Sequence, residues 1–245
     1  MTLENIIEIK NVEMHFNMSK EKIDNLKEYF IKLAKRQLMY EDFTALDKVS
    51  VNIKPGEVFG IVGHNGSGKS TLLKTISGIL KPTVGTVKVH GSIAPLIELG
   101  AGFDLDLTAR ENIFLNGSVL GFSNQMISEK FDEIVEFSEL REFLDVPMKN
   151  YSSGMVARIG FAVATMVKPD ILIVDEILSV GDFLFQQKCE QRINALMQGG
   201  TTVLIVSHAL EQIRRLCTRV MWLDKGKIKM IGDTKTVCDA YESGA

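Results

Sequence analysis

Eight residues constrain this chain more than any others: Gly63-His64-Asn65-Gly66-Ser67-Gly68-Lys69-Ser70 follow the apolar run Val58 to Val62 and precede a helical pattern over Thr71 to Ile79. A glycine, four residues and then Gly-Lys-Ser predict a phosphate-binding loop between a buried strand and a helix. Glycines let successive backbone N–H groups converge on an anion without side chains in the way, and the helix N-terminus adds partial positive charge. The candidate nucleotide contacts are therefore Gly63, His64, Asn65, Gly66, Ser67, Gly68, Lys69, Ser70 and Thr71. Lys69 is expected to reach the β- and γ-phosphates and Ser70 to ligate Mg²⁺, while His64 and Asn65 occupy variable positions.

The second chemical feature lies about a hundred residues later, where Ile171-Leu172-Ile173-Val174 runs into Asp175-Glu176. Two carboxylates at the end of a buried strand suit a metal and a water: Asp175 to hold Mg²⁺ and Glu176 to orient or deprotonate the attacking water. Continuous apolar runs at Ile171 to Val174 and Thr202 to Val206 predict parallel strands covered on both faces. Alternation over Ile7 to Val12 and Val49 to Ile53 predicts half-buried antiparallel strands. Helical spacing over Ser128 to Leu144, and a second helix from near Gly154 that stops at Pro169, predict a helical insert. Val220 to Ile231 reads as a hairpin about Asp224-Lys225-Gly226.

Composition narrows the function classes. With 28 Lys plus Arg against 31 Asp plus Glu, the net charge is -3, which gives no support to sequence-independent binding of nucleic acid. Cys189, Cys217 and Cys238 fit neither a disulfide framework nor a zinc site. The apolar runs are strand-sized, so a role at a membrane is expected to be peripheral. Ser19 to Tyr40 stands apart, with Ile23, Leu26, Phe30 and Leu33 along one seam and Lys27, Lys32, Lys35 and Arg36 beside it. It reads as a basic amphipathic helix that either packs on its own domain or meets a membrane surface or partner.

Tyr151-Ser152-Ser153-Gly154-Met155 resembles the signature of ABC-type ATPases, in the variant carried by ATPases that export cell-surface polysaccharides such as O-antigen and teichoic acid. Leu99-Gly100-Ala101-Gly102-Phe103, Leu107-Thr108 with Arg110-Glu111-Asn112, and Leu178-Ser179-Val180-Gly181-Asp182 are similar to the same subfamily, and the likeness runs from Ile6 to about Tyr241.

The resemblance implies an α/β phosphate-loop nucleotide-binding domain with an antiparallel β subdomain and a helical subdomain. It implies one domain over 1–245, with an amphipathic helical insertion at 17–42, a helical subdomain at about 105–167 and a nucleotide-binding core in the remainder. It implies catalytic roles for Glu176 and His208, the latter as a switch histidine reading the γ-phosphate. Asp182 is placed in a loop that touches the opposite subunit, and Ser152, Ser153 and Gly154 in an anion site that meets a second subunit's γ-phosphate. Phe16 is the simplest adenine-stacking ring, with Tyr40 and Phe43 as alternatives. Glu98 stands nearest the place of a glutamine that links nucleotide to permease. The implied function is ATP hydrolysis with Mg²⁺ in a homodimer on a polytopic permease, at the cytoplasmic face of the inner membrane. Lipid-linked polysaccharide is the implied cargo. The rival readings are a soluble ABC ATPase in translation or DNA repair, a transport subunit for another cargo, and a small-molecule phosphotransferase, which would need neither Tyr151 to Met155 nor Asp182.

Overall fold

The alternating residues near the N-terminus build a ribbon longer than their pattern suggests. In the computed structural model, which describes residues 4–19, 40–96, 99–100, 102–175, 181–207 and 209–244, β1 (Ile7–Ser19) pairs antiparallel with β2 (Tyr40–Ile53). Ile7 and Ile9 are buried, and a register break at Asn11, whose φ is 48°, shifts the phase so that Val12 and Met14 continue the buried row. Pairing persists through Asn17 with Asp42, Met18 with Glu41 and Ser19 with Tyr40. Both ends of the segment expected as a helical insertion over 17–42 are thus strand, because the ladder satisfies their backbone groups. The intervening 20–39, which carry the expected amphipathic seam, lie outside the described residues.

Next along the chain come β3 (Val58–Val62) and, after the phosphate loop, α1 (Lys69–Ile76). β4 (Val84–Val89) pairs with the other edge of β1, completing an antiparallel sheet ordered β2-β1-β4, and β5 (Ile93–Pro95) opens the edge of a second sheet.

Three helices then form a lobe with its own core. α2 (Ala109–Val119) starts at Thr108, which accepts the Glu111 N–H while Glu111 accepts the Thr108 N–H, so two orphan donors are satisfied reciprocally. α3 (Asn124–Ser138) is capped by Ser123 and ends where Glu139 turns to φ 61°. The helical spacing read over Ser128 to Leu144 therefore straddles a helix end: Leu140 and Leu144 are buried in the same lobe, but from the turn around the 3-10 stretch Arg141–Phe143. α4 (Ser153–Met166) completes the lobe, and Ile113, Ile127, Ile134, Ile159 and Val163 fill its centre.

The chain returns to the second sheet with β6 (Ile171–Asp175), α5 (Phe183–Gln198), β7 (Thr202–Val206), α6 (Leu210–Leu216), β8 (Arg219–Asp224), β9 (Lys227–Asp233) and α7 (Thr234–Ser243). Its order is β5-β6-β7-β3-β8-β9, all parallel except β9. One face packs Ile173 and Leu204 against the antiparallel sheet and α1, through Ile7, Leu46 and Leu72. The other packs Leu172 and Val203 against Phe185, Ile213 and Val237 of α5, α6 and α7. Burial on both faces is why these strands read as unbroken apolar runs. Because β6, β7 and β3 are parallel neighbours, Asp175, Ser207 and Gly63 emerge at one edge, where open α/β sheets bind ligands.

Candidate nucleotide site

The loop between β3 and α1 is held by contacts that leave no room for side chains at two of its glycines. A Cβ on Gly63 would lie 2.2 Å from the Leu223 carbonyl oxygen, and one on Gly68 would lie 2.5 Å from the Ala45 carbonyl oxygen. Gly68 is also the N-cap of α1, at φ 104°, and offers no side-chain acceptor. The first-turn N–H groups of α1 thus remain for an anion in the adjoining cavity of ≈ 360 Å³, lined by Asn65 to Thr71 with Phe43, Asp175 and Val206. Lys69 Nζ donates to the carbonyls of Gly63 (2.6 Å) and His64 (3.0 Å), which holds its ammonium at the loop. The loop leans on the β8–β9 turn: the Gly226 N–H donates to the Ser67 carbonyl at 2.9 Å, and the Asp47 N–H donates to the Gly226 carbonyl at 2.9 Å. Nothing in the loop's own sequence announces this support from a turn some 160 residues away; the sequence marks only the turn itself, at Asp224-Lys225-Gly226, where Lys225 and Gly226 take positive φ.

Asp175 reaches the cavity from the end of β6, so the loop lysine, the Ser70 hydroxyl and one carboxylate share a wall. That donor set fits Mg²⁺, which binds through one or two carboxylates together with substrate phosphates. Among the described residues, no group of three or more His, Cys, Asp or Glu could hold a metal by protein ligands alone. Glu98, Glu176 and His208 lie outside the described residues. Ser207 Oγ donates to Gln212 Oε1 at 3.0 Å and accepts the Ala209 N–H at 3.1 Å.

Among the described residues, Phe43 rather than Phe16 is the aromatic ring on the cavity wall. The two residues are direct partners across β1 and β2 and therefore share a face, but Phe16 packs against the core cluster while Phe43, on the edge strand, stays 46% exposed. Tyr40, the third aromatic candidate, continues the same ladder opposite Ser19.

The signature segment begins α4 on the other lobe. Ser152 caps this helix by accepting the Met155 N–H at 3.3 Å, which leaves the N–H groups of Ser153 and Gly154 without intrahelical partners. Tyr151 anchors the approach by donating to the Phe143 carbonyl at 2.6 Å, and burial pushes its phenol pKa up. Asp182 caps α5 by accepting the Phe185 N–H at 3.0 Å and also takes the guanidinium of Arg158, whose other arm reaches Glu139 at 2.7 Å. The Phe185 N–H first, and Arg158 after it, hold the Asp182 carboxyl below its usual range. Arg158 was not singled out in the sequence, although a lone cation in the apolar run of α4 is a visible signal.

Residues 46–179 match the ABC transporter family. The O-antigen export system ATP-binding protein RfbB of Klebsiella pneumoniae is 39% identical over 242 residues, covering 98% of each chain. The teichoic acids export ATP-binding protein TagH of Lactiplantibacillus plantarum is 43% identical over 96% of this chain, which spans 64% of that longer protein. Among solved structures, a dimeric ATP-binding cassette in a post-hydrolysis state bound to ADP and Pi aligns at TM-score 0.71 with 25% identity, covering 93% of this chain and 98% of that one. An ATP-binding subunit of an ABC transporter aligns at TM-score 0.74 over 98% of this chain and 93% of that one, and at 21% identity it speaks for the fold alone. A family match over more than half of the chain, joined to a relative 39% identical that is matched over 98% of its length, means that the chain belongs to the ABC transporter family, as an ATP-hydrolysing subunit of the polysaccharide-export branch.

Proposed function

We propose that two copies of the chain, arranged head to tail, hydrolyse ATP with Mg²⁺ at the phosphate loop and thereby drive a polytopic permease that exports lipid-linked cell-surface polysaccharide. The observation that carries this reading is the division of labour between lobes. The phosphate cavity belongs to the sheet core, and the anion-ready start of α4 belongs to the three-helix lobe. A second copy supplies Ser152, Ser153 and Gly154 to the γ-phosphate held by the first. Ser70 and Asp175 would hold Mg²⁺ there, which when bound would supply positive charge to the nucleotide's phosphates. Glu176 orients a water and takes its proton as the new oxygen–phosphorus bond forms; the bond to the β–γ bridging oxygen breaks, and ADP and phosphate result. His208 donates to the γ-phosphate and reports its loss.

An apolar groove of ≈ 510 Å³ between the two lobes suits the permease. Ile79, Ile93, Val119, Leu120 and Ala164 line it, and Ile79 and Val119 are 50% and 64% exposed. Among the described residues no helix is long and apolar enough to cross a membrane, so membrane attachment at the cytoplasmic face of the inner membrane is proposed to run through that groove. The O-antigen and teichoic-acid relatives support the cargo. Ile79→Asp with Val119→Asp should abolish copurification with the permease while ADP binding by the isolated chain persists. In inverted vesicles holding both proteins, ATP-driven movement of labelled lipid-linked polysaccharide should stop with Lys69→Ala. Undiminished transport by that variant would refute the proposal.

A further inference from the structure

The helix α7 joins the phosphate loop to α6. On one side, the His64 ring, which projects from a variable position of the phosphate loop, packs on Tyr241 of α7 with centroids 5.4 Å apart and planes at 39°. Tyr241 stands edge-on to Trp222 of β8 at 5.3 Å, and Lys229 Nζ lies 4.0 Å from the centroid of the indole. Trp222 is 3% exposed, and among the described residues its Nε1–H has no hydrogen-bond partner, so its ring is held by packing and by Lys229. On the other side, Asp239 and Glu242 of the same helix grip Arg214 of α6 at 2.7 Å and 2.8 Å. The two carboxylates, Asp239 first, hold the guanidinium pKa up. α6 starts at Leu210, shortly after β7 ends at Val206. Val237 and Cys238 are fully buried, which fixes α7 against the sheet between these two attachments.

The loop end of this chain of contacts is the part that nucleotide must disturb. Lys69 donates to the His64 carbonyl, and a phosphate that takes a share of the Lys69 ammonium weakens that charge-assisted bond. His64 is therefore a loop residue whose environment changes on binding, and its ring bears directly on Tyr241. We propose that Tyr241 is a positioning residue of the ATP site: through His64 it sets the poise of the phosphate loop, and through α7 it ties that loop to α6, so that occupancy of the loop is felt at Trp222. This inference rests on the phosphate loop being the ATP site.

Trp222 is the only tryptophan in the chain, so its fluorescence reads this contact without a label. The full-length protein is titrated with MgADP, binding is measured independently by equilibrium dialysis, and steady-state ATPase kinetics are recorded. The wild type should show a saturable change in Trp222 emission. Tyr241→Leu should lose that change and raise KM for ATP roughly three- to tenfold, the loss of one aromatic contact, with kcat altered less than about twofold. Tyr241→Phe, which keeps the ring, should restore both. His64→Ala, at an exposed loop position, should also lose the emission change, which keeps the proposal testable should Tyr241→Leu fail to fold. Absence of MgADP binding to the wild type would overturn the site assignment itself. If MgADP binds while Trp222 emission stays flat, or if both variants respond as the wild type does, the role of Tyr241 is overturned and the ATP site stands.

Discussion

A methyl group on Gly63 would collide with the Leu223 carbonyl at 2.2 Å and Ser67 Oγ at 2.6 Å, and the residue sits at φ +155°. Neither the strand end nor the loop can retreat without opening the cradle, so Gly63→Ala should cost on the order of 2 kcal/mol or more of stability and abolish ADP binding, read by denaturant unfolding and dialysis. The aromatic pair makes a subtler prediction. Phe43→Ala should weaken ATP binding more than Phe16→Ala, whereas Phe16→Ala should lower stability more, because Phe16 packs against the core and Phe43 lines the cavity. Equal losses of affinity in the two variants would contradict this assignment. Lys69, Ser70 and Asp175 were legible in the sequence because their chemistry demands fixed spacing or a strand end. The choice between Phe16 and Phe43 was not, because both residues face the same side of one ladder, and only the edge position of β2 distinguishes them.

At the scale of elements, α4 and α5 are joined by charged pairs beside the packing of Phe161 on Phe185. Asp182 caps α5 and takes Arg158, while Glu139 at the end of α3 receives both Arg158 and Lys188. Both carboxyls are held below their ordinary pKa, Asp182 chiefly by the Phe185 N–H and Glu139 chiefly by Lys188. A carboxyl depressed in the folded state contributes its full stability above the unfolded-state pKa of about 4, and loses it as pH falls through the lower folded value. Unfolding followed against pH should therefore show an acid limb below about pH 4, and Asp182→Asn should make that limb shallower and lower the stability at pH 7 that the carboxylate contributes there. An unchanged limb in Asp182→Asn would show that the carboxylate carries none of this dependence. Periodicity found most of these elements but misplaced boundaries. Leu140 and Leu144 keep a helical spacing past the real end of α3, since a turn that folds back can bury the same residues a helix would. The strand ends flanking 20–39 were hidden because the helical spacing of the segment between them extends up to them, and only pairing of Asn17 to Ser19 with Tyr40 to Asp42 shows them to be extended.

On the scale of the whole molecule, the account stands on a site shared between copies. Gly154 provides the sharpest probe: a Cβ there would meet nothing nearer than Ser152 Oγ at 3.8 Å, so the isolated chain has no steric need of glycine at that position. A carboxylate in the first turn of α4 also suits the helix dipole, and Gly154→Asp should fold with unchanged or slightly higher stability, yet its charge would repel a partner's γ-phosphate. The most direct measurement compares two mixed dimers. In the first, a Lys69→Ala chain pairs with a Gly154→Asp chain; in the second, a chain carrying both substitutions pairs with a wild-type chain. Head-to-tail sharing concentrates both lesions in one composite site of the first dimer and leaves its other site intact, whereas the second dimer carries one lesion in each site. The account predicts ATPase activity from the first dimer and none from the second. Activity from the second and none from the first would mean that each chain completes its own site, and would contradict the account.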